Sequence, residues 1–372
     1  MKVPLNDLAA QQADVKDAIV AAIARLGTDA KFILGAPVEE LERWLAQACG
    51  TAHAVGVASG TDALELSLRA LGIGGGDAVV TPAFSFIAAA EAIAAAGARP
   101  VFCDVDEATL CASARTFEAA TARAKSAGLR VKALVPVHLF GLCTPMTELS
   151  ALAAHEGIVV IEDAAQALGA RDDAGRAAGA AGAAGCFSFF PTKNLGAWGD
   201  GGAVVTSDAD LAARVRRLRA HGATAPYVHA ETGRNSRLDA LQAAVLLAKV
   251  PHLAAWQSAR DRLAARYLAE LSPLPLQLPA VPAAPSRHAW HAFVVRTPRR
   301  DALSAFLREQ GIESRVYYPV PLHRQPCFQA LAEPAMPVSE AATTTALALP
   351  FHPALSDEAQ THVLGAVTRF FA

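Results

Sequence analysis

Two rhythms of apolar positions alternate between residues 30 and 250. Short apolar, often β-branched runs at 53–59 (HAVGVAS), 77–83 (DAVVTPA), 99–105 (RPVFCDV), 131–141 (VKALVPVHLFG) and 157–165 (GIVVIEDAA) read as strands. The segments 61–73, 86–98 and 146–157 carry helical spacing between them, and 185–190 and 202–207 continue the strand series. Strands alternating with helices predict a mostly parallel sheet covered on both faces, an α/β arrangement. After residue 250 the texture changes. A Pro-rich stretch at 272–285 reads as an ordered loop. It leads into a strand at 288–297, a helix at 301–312, a strand at 314–320 and a terminal helix at 353–371. The expected organisation is a large domain over 1–250, with an N-terminal arm, and a smaller α+β domain over 251–372.

Composition narrows the function classes. A chain of 372 residues suggests two domains, or one large domain with an appendage. Hydrophobic residues make up 53%, much of it alanine, so a packed core is expected and disorder is not. The net charge of −2 argues against a nucleic-acid wrapper. The most apolar stretch, 84–98, holds Glu91 and is too short to span a bilayer. The first residues lack the apolar run of a secretory signal, so a cytoplasmic protein is expected. Six scattered cysteines form no CxxC pair and read as reduced thiols rather than metal ligands; Cys186 reads as a buried neighbour of the site, not a nucleophile.

Candidate chemistry sits at strand ends. The run 53–59 leads directly into Ser59-Gly60-Thr61-Asp62, which opens a helix. Such a terminus is a phosphate cradle in outline, although an ordinary Ser or Thr cap gives the same pattern. Asp163 closes a buried strand, where α/β sheets hold ligands. Thirty residues later, Lys193 lies in a Gly-rich loop after an aromatic strand. A lysine desolvated there becomes a nucleophilic amine. Lysine, strand-end aspartate and phosphate cradle together fit pyridoxal phosphate, with Lys193 in Schiff-base linkage and Asp163 on the pyridinium nitrogen. No P-loop is present, and the glycines at 72–76 follow a helix, the wrong order for a dinucleotide fingerprint, which speaks against a nicotinamide enzyme.

The chain resembles the DegT/DnrJ/EryC1/StrS family of sugar aminotransferases along nearly its whole length. The segments that carry the resemblance include SGTDALELSLRALGI, GDAVVTPAFSFIAAA, VPVHLFG, VIEDAAQALGA, CFSFFPTKNLGAWGDGGAVVT, GRNSRLDALQAAVL and VYYPVPLH. The resemblance implies a fold-type-I pyridoxal phosphate transferase in which Lys193 is catalytic. It implies that Gln166 bonds the ring hydroxyl and that Gly60, Thr61 and Ser188 hold the phosphate. Phe86 would stack on one ring face and Ala165 would leave room on the other. Asn235 would reach the phosphate of a neighbouring subunit, which implies a homodimer with a shared site. Tyr318 and His323 match a segment near the sugar nucleotide, and Arg237 and Arg315 are candidates for its diphosphate. Ser236 stands where the family usually has an aromatic, a departure expected to alter the neighbouring pocket.

The expected reaction moves an amino group from glutamate to a nucleotide-linked keto sugar, at carbon 3 or carbon 4. Asp200 resembles members acting at carbon 3. Two alternatives keep the fold: a cyclitol or other cyclic ketone as acceptor, or a non-catalytic regulatory member. Lys193 argues against the second, and against the dehydratase branch, where a histidine stands in its place. His138 reads equally as a substrate-facing or a buried residue, Trp198 as a substrate contact or a cover over the site, and Trp290 and His291 as strand residues of the small domain.

Overall fold

Amphipathic helices precede the sheet. The computed structural model describes residues 1–372 and begins with α1 (Leu8–Gln12), α2 (Lys16–Asp29) and α3 (Ala36–Cys49). In α3, Val38, Leu41, Leu45 and Cys49 recur at helical spacing on the buried face, and the helix stops at Gly50, whose φ of 68° suits glycine. The alternating series follows: β1 (His53–Val57), α4 (Gly60–Ala70), β2 (Asp77–Pro82), α5 (Ala88–Ala95), β3 (Arg99–Cys103), α6 (Ala114–Ser126), β4 (Arg130–Leu134), α7 (Met146–Glu156), β5 (Val159–Asp163), β6 (Ala184–Ser188), β7 (Gly202–Thr206) and α8 (Ala209–Leu218). A short hairpin, β8 (Ala223–Ala225) and β9 (Val228–His229), leads to α9 (Ala240–Lys249) and α10 (Leu253–Leu271). The chain ends with β10 (Phe293–Arg296), α11 (Arg300–Glu309), α12 (Pro337–Thr345), β11 (Ala346–Leu349) and α13 (Asp357–Phe371).

Seven strands form one sheet in the order β1-β7-β6-β5-β4-β2-β3. Strands β2 to β6 pair in parallel, as expected. Strand β7 is antiparallel to both neighbours. The cause is the connection 189–201, which carries Lys193 and contains no helix to cross the sheet, so the chain can only turn back. The ends of β1, β5 and β6 and the start of β7 therefore share one edge. Helix α4 is buried along most of its length against this sheet.

Toward the C-terminus, β10 and β11 form an antiparallel pair packed with α10, α11 and α13 around Tyr267, Phe293 and Phe351. Val3 of the N-terminal arm belongs to the same cluster and pairs with Ile312. No helix is long and apolar enough to cross a membrane.

Three local expectations are corrected. The run 131–141 is a strand only to Leu134; Pro136 offers no N–H, and residues 139–141 close a tight turn with Phe140 at φ 56°. The segment 288–297 is a strand only from Phe293, because Trp290 sits at φ 50°. The segment 314–320 is not a strand: Arg315 alone pairs with Ala348 before Pro319 intervenes. Five cysteines are buried and Cys327 is exposed.

Candidate active site

The strand ends converge on the first turn of α4. The Ser59 hydroxyl accepts the Asp62 N–H at 3.0 Å and caps the helix. A Cβ added at Gly60 would lie 2.7 Å from the Ser188 Cβ, and one at Gly202 would lie 2.3 Å from the Ser59 carbonyl. Glycines are thus required where β6 and β7 press on the turn. Ser59, Gly60 and Thr61 line a cavity of about 390 Å³ that also contains Asp163, Ala165, Gln166, Ser188 and Lys193. The helix end presents unpaired N–H groups and a positive dipole to that cavity.

Asp163 and Lys193 supply the charge. Burial pushes the Asp163 carboxyl up, and the Ala165 N–H at 3.1 Å and the Lys193 charge oppose the rise. Burial pushes the Lys193 amine down to about 8, against the pull of Asp163. A substantial neutral fraction near physiological pH follows. The loop that carries Lys193 is held tightly: its own N–H donates to the Phe190 carbonyl at 2.8 Å, Asn194 Nδ2 to the Ala289 carbonyl at 2.8 Å, and Lys249 Nζ to the Gly196 carbonyl at 2.6 Å.

Aromatic rings form the wall. Phe86 is 56% exposed at the cavity, whereas Phe84 is 1% exposed in the core, so Phe86 is the ring that faces the site. Tyr318 lies near both, with centroids 6.0 Å from Phe84 and 6.3 Å from Phe86. Gln166 Oε1 accepts the Phe140 N–H at 2.7 Å, while its Nε2 donates to the Tyr318 hydroxyl at 3.1 Å. One Nε2 proton remains for a ligand. Behind this wall, His138 and Glu162 are fully buried and bonded at 2.8 Å. The His138 Nδ1 accepts the Thr144 N–H at 3.2 Å, so its proton sits on Nε2 and points at Glu162. His138 is thereby a packed residue rather than one facing the cavity.

Some expected residues fall elsewhere. His323 is 2% exposed, bonded to Glu340 at 2.9 Å, and is not among the residues that line the cavity. Asn235 is exposed away from this chain's cavity and accepts a bond from Arg237 at 2.6 Å. Arg315 lines a separate open groove with Lys2 and Arg308. Trp198 hydrogen-bonds Gln12 and Gln242 and does not line the cavity. His291, expected in a strand, lines the cavity instead, because the chain turns sharply at Trp290. Phe140, Phe190, Thr192 and Tyr317 also line it and were not singled out as site residues, although all four sit inside the motifs already noted.

The donor set suits pyridoxal phosphate: an anion-binding helix end, a buried carboxylate, a partly neutral lysine and a cavity large enough for the ring. Residues 13–368 match the profile of the DegT/DnrJ/EryC1/StrS aminotransferase family. The chain is 47% identical to a UDP-N-acetyl-3-dehydro-alpha-D-glucosamine 3-aminotransferase of Acidithiobacillus ferrooxidans, over 96% of this chain and 94% of the relative. It is 42% identical to a pleiotropic regulatory protein of Geobacillus stearothermophilus, over 100% and 99%. A DegT DnrJ EryC1 StrS aminotransferase from Brucella abortus has the same fold, with a TM-score of 0.95 at 40% identity over 98% of each chain. The chain belongs to the DegT/DnrJ/EryC1/StrS family and is a pyridoxal phosphate-dependent aminotransferase.

Proposed function

We propose that this aminotransferase moves an amino group from glutamate to carbon 3 of a nucleotide-linked 3-keto sugar. The carrying observation is the desolvated Lys193 amine in one cavity with Asp163 and the first turn of α4. The choice of carbon 3 is supported by the Acidithiobacillus relative's activity and by Asp200 at the cavity wall. Pyridoxal phosphate bound there supplies an electron sink for the carbon next to nitrogen.

The chain's own residues do the rest. Lys193 Nζ would hold the cofactor; once the donor's amine takes its place and frees it, the same amine would take a proton from the donor carbon and later return one to the sugar carbon. A positioned base of this kind is worth roughly 10²–10⁴-fold. Asp163 holds the ring nitrogen protonated, and the remaining Nε2 proton of Gln166 serves the ring hydroxyl. Gly60, Thr61 and Ser188 hold the phosphate, Phe86 and Ala165 flank the ring, and Tyr318 contacts the sugar. Asn235, exposed in its own subunit, serves the phosphate of a partner, so the working form is a homodimer in the cytoplasm. Residues 1–250 form the cofactor-binding domain and 251–372 the smaller one.

Purified protein loaded with pyridoxal phosphate should lose its visible absorption band on addition of glutamate. Mass spectrometry should then show amination of a 3-keto but not a 4-keto sugar nucleotide. Amination of the 4-keto compound alone overturns the carbon assignment. Activity on a keto cyclitol alone overturns the acceptor class. A regulatory role without catalysis, suggested by the Geobacillus relative's name, is disfavoured by the intact Lys193 site and requires that glutamate leave the band unchanged.

A further inference from the structure

Ser236 is fully buried, yet its hydroxyl reaches the first turn of α4 from a segment far along the chain. The hydroxyl donates to Asp62 Oδ2 at 2.6 Å and accepts the Ala58 N–H at 3.4 Å. Those two residues bracket Ser59, Gly60 and Thr61. The Ser236 backbone is itself set by the end of α8, its N–H donating to the Arg219 carbonyl at 2.9 Å. Arg219 is in turn fixed, with one guanidinium nitrogen 2.6 Å from both Glu42 and the Gly56 carbonyl.

We infer that Ser236 is a positioning residue for the phosphate cradle, holding the Asp62 carboxylate away from the free N–H groups of α4. This rests on the reading of Ser59 to Thr61 as the cradle. Asp62 stands in the first helical turn. A carboxylate free to rotate there accepts the same N–H groups, and the same dipole, that an anionic ligand uses. The Ser236 hydroxyl occupies one carboxylate oxygen and ties it to the segment after α8. The residue touches neither cofactor nor substrate and acts through Asp62 and Ala58.

The test compares pyridoxal phosphate with pyridoxal, which lacks the phosphate. Full-length wild type and Ser236→Ala, both stripped of cofactor, are titrated with each and followed by absorbance. The variant should bind pyridoxal phosphate about tenfold more weakly, with pyridoxal affinity unchanged. Adding Asp62→Ala to the variant, which removes the competing acceptor, should recover most of the loss. An equal loss for both compounds, no loss for either, or no recovery in the double variant overturns the proposal. A wild type that binds the two compounds equally well overturns the cradle reading itself.

Discussion

Gln166 Nε2 donates to the Tyr318 hydroxyl at 3.1 Å, joining a strand end of the main sheet to a segment 152 residues later. The other end of the amide is held by the Phe140 N–H, so Tyr318 sets which way the remaining Gln166 proton points. Burial pushes the Tyr318 hydroxyl upward, which keeps it protonated at working pH. Tyr318→Phe should lower kcat about tenfold and leave thermal stability within about 1 kcal/mol of wild type, read by steady-state kinetics and calorimetry.

Lys193→Ala should abolish transamination and the visible band together. The same spectrum tests pH dependence. Because the amine titrates near 8, the rate at which pyridoxal phosphate combines with the bare protein should climb through that pH and level off above it. A flat profile between pH 7 and about 9 contradicts the low value.

Glu162 is pushed upward by burial, but the bond from His138 and the N–H groups of Gly182 and Gly179 outweigh it, and the net shift is downward. A carboxylate lowered in the folded state stabilises the protein above its ordinary value of 4.5, and that contribution is lost as pH falls below it. Glu162→Ala strands His138 and the N–H groups of Gly179, Ala181 and Gly182. It should cost about 3–5 kcal/mol at neutral pH. In denaturant titrations the difference from wild type should shrink at pH 4 and below.

Lys249 has no carboxylate partner, and burial pushes its amine from 10.5 down to about 8. Between those values the unfolded chain holds the proton and the folded chain does not, so stability rises with pH across that window. Relative to Lys249→Met, wild type should gain about 1–2 kcal/mol from pH 8 to pH 10.5 in urea unfolding, solvent screening taking up part of the full shift. A constant difference across the window would show that the amine is not desolvated.

Much of the site was legible because its residues lie at the ends of strongly patterned elements. The β-branched run ending in Asp163 and the Gly-rich loop around Lys193 have local signatures that survive folding. Gly60 belongs with them, although the structure adds that Ser188 leaves no space for a side chain there. His291 was misread because its neighbours alternate like a strand, while the left-handed Trp290 redirects the chain into the cavity. For His323, the motif match says nothing about Glu340, the residue that occupies its ring nitrogen.

Local pattern alone determined the strand–helix alternation and the fold class, and it marked the amine, carboxylate and helix end as candidates, since hydrophobic period and capping chemistry act over a few residues. Tertiary structure decided the reversal of β7, the choice of Phe86 over Phe84, the Gln166–Tyr318 bond and the Ser236 contact with Asp62. Each depends on groups brought together from distant parts of the chain or on which side of the sheet a connection returns. Such pairings are set by the packing of the whole core, and no short stretch of sequence contains them.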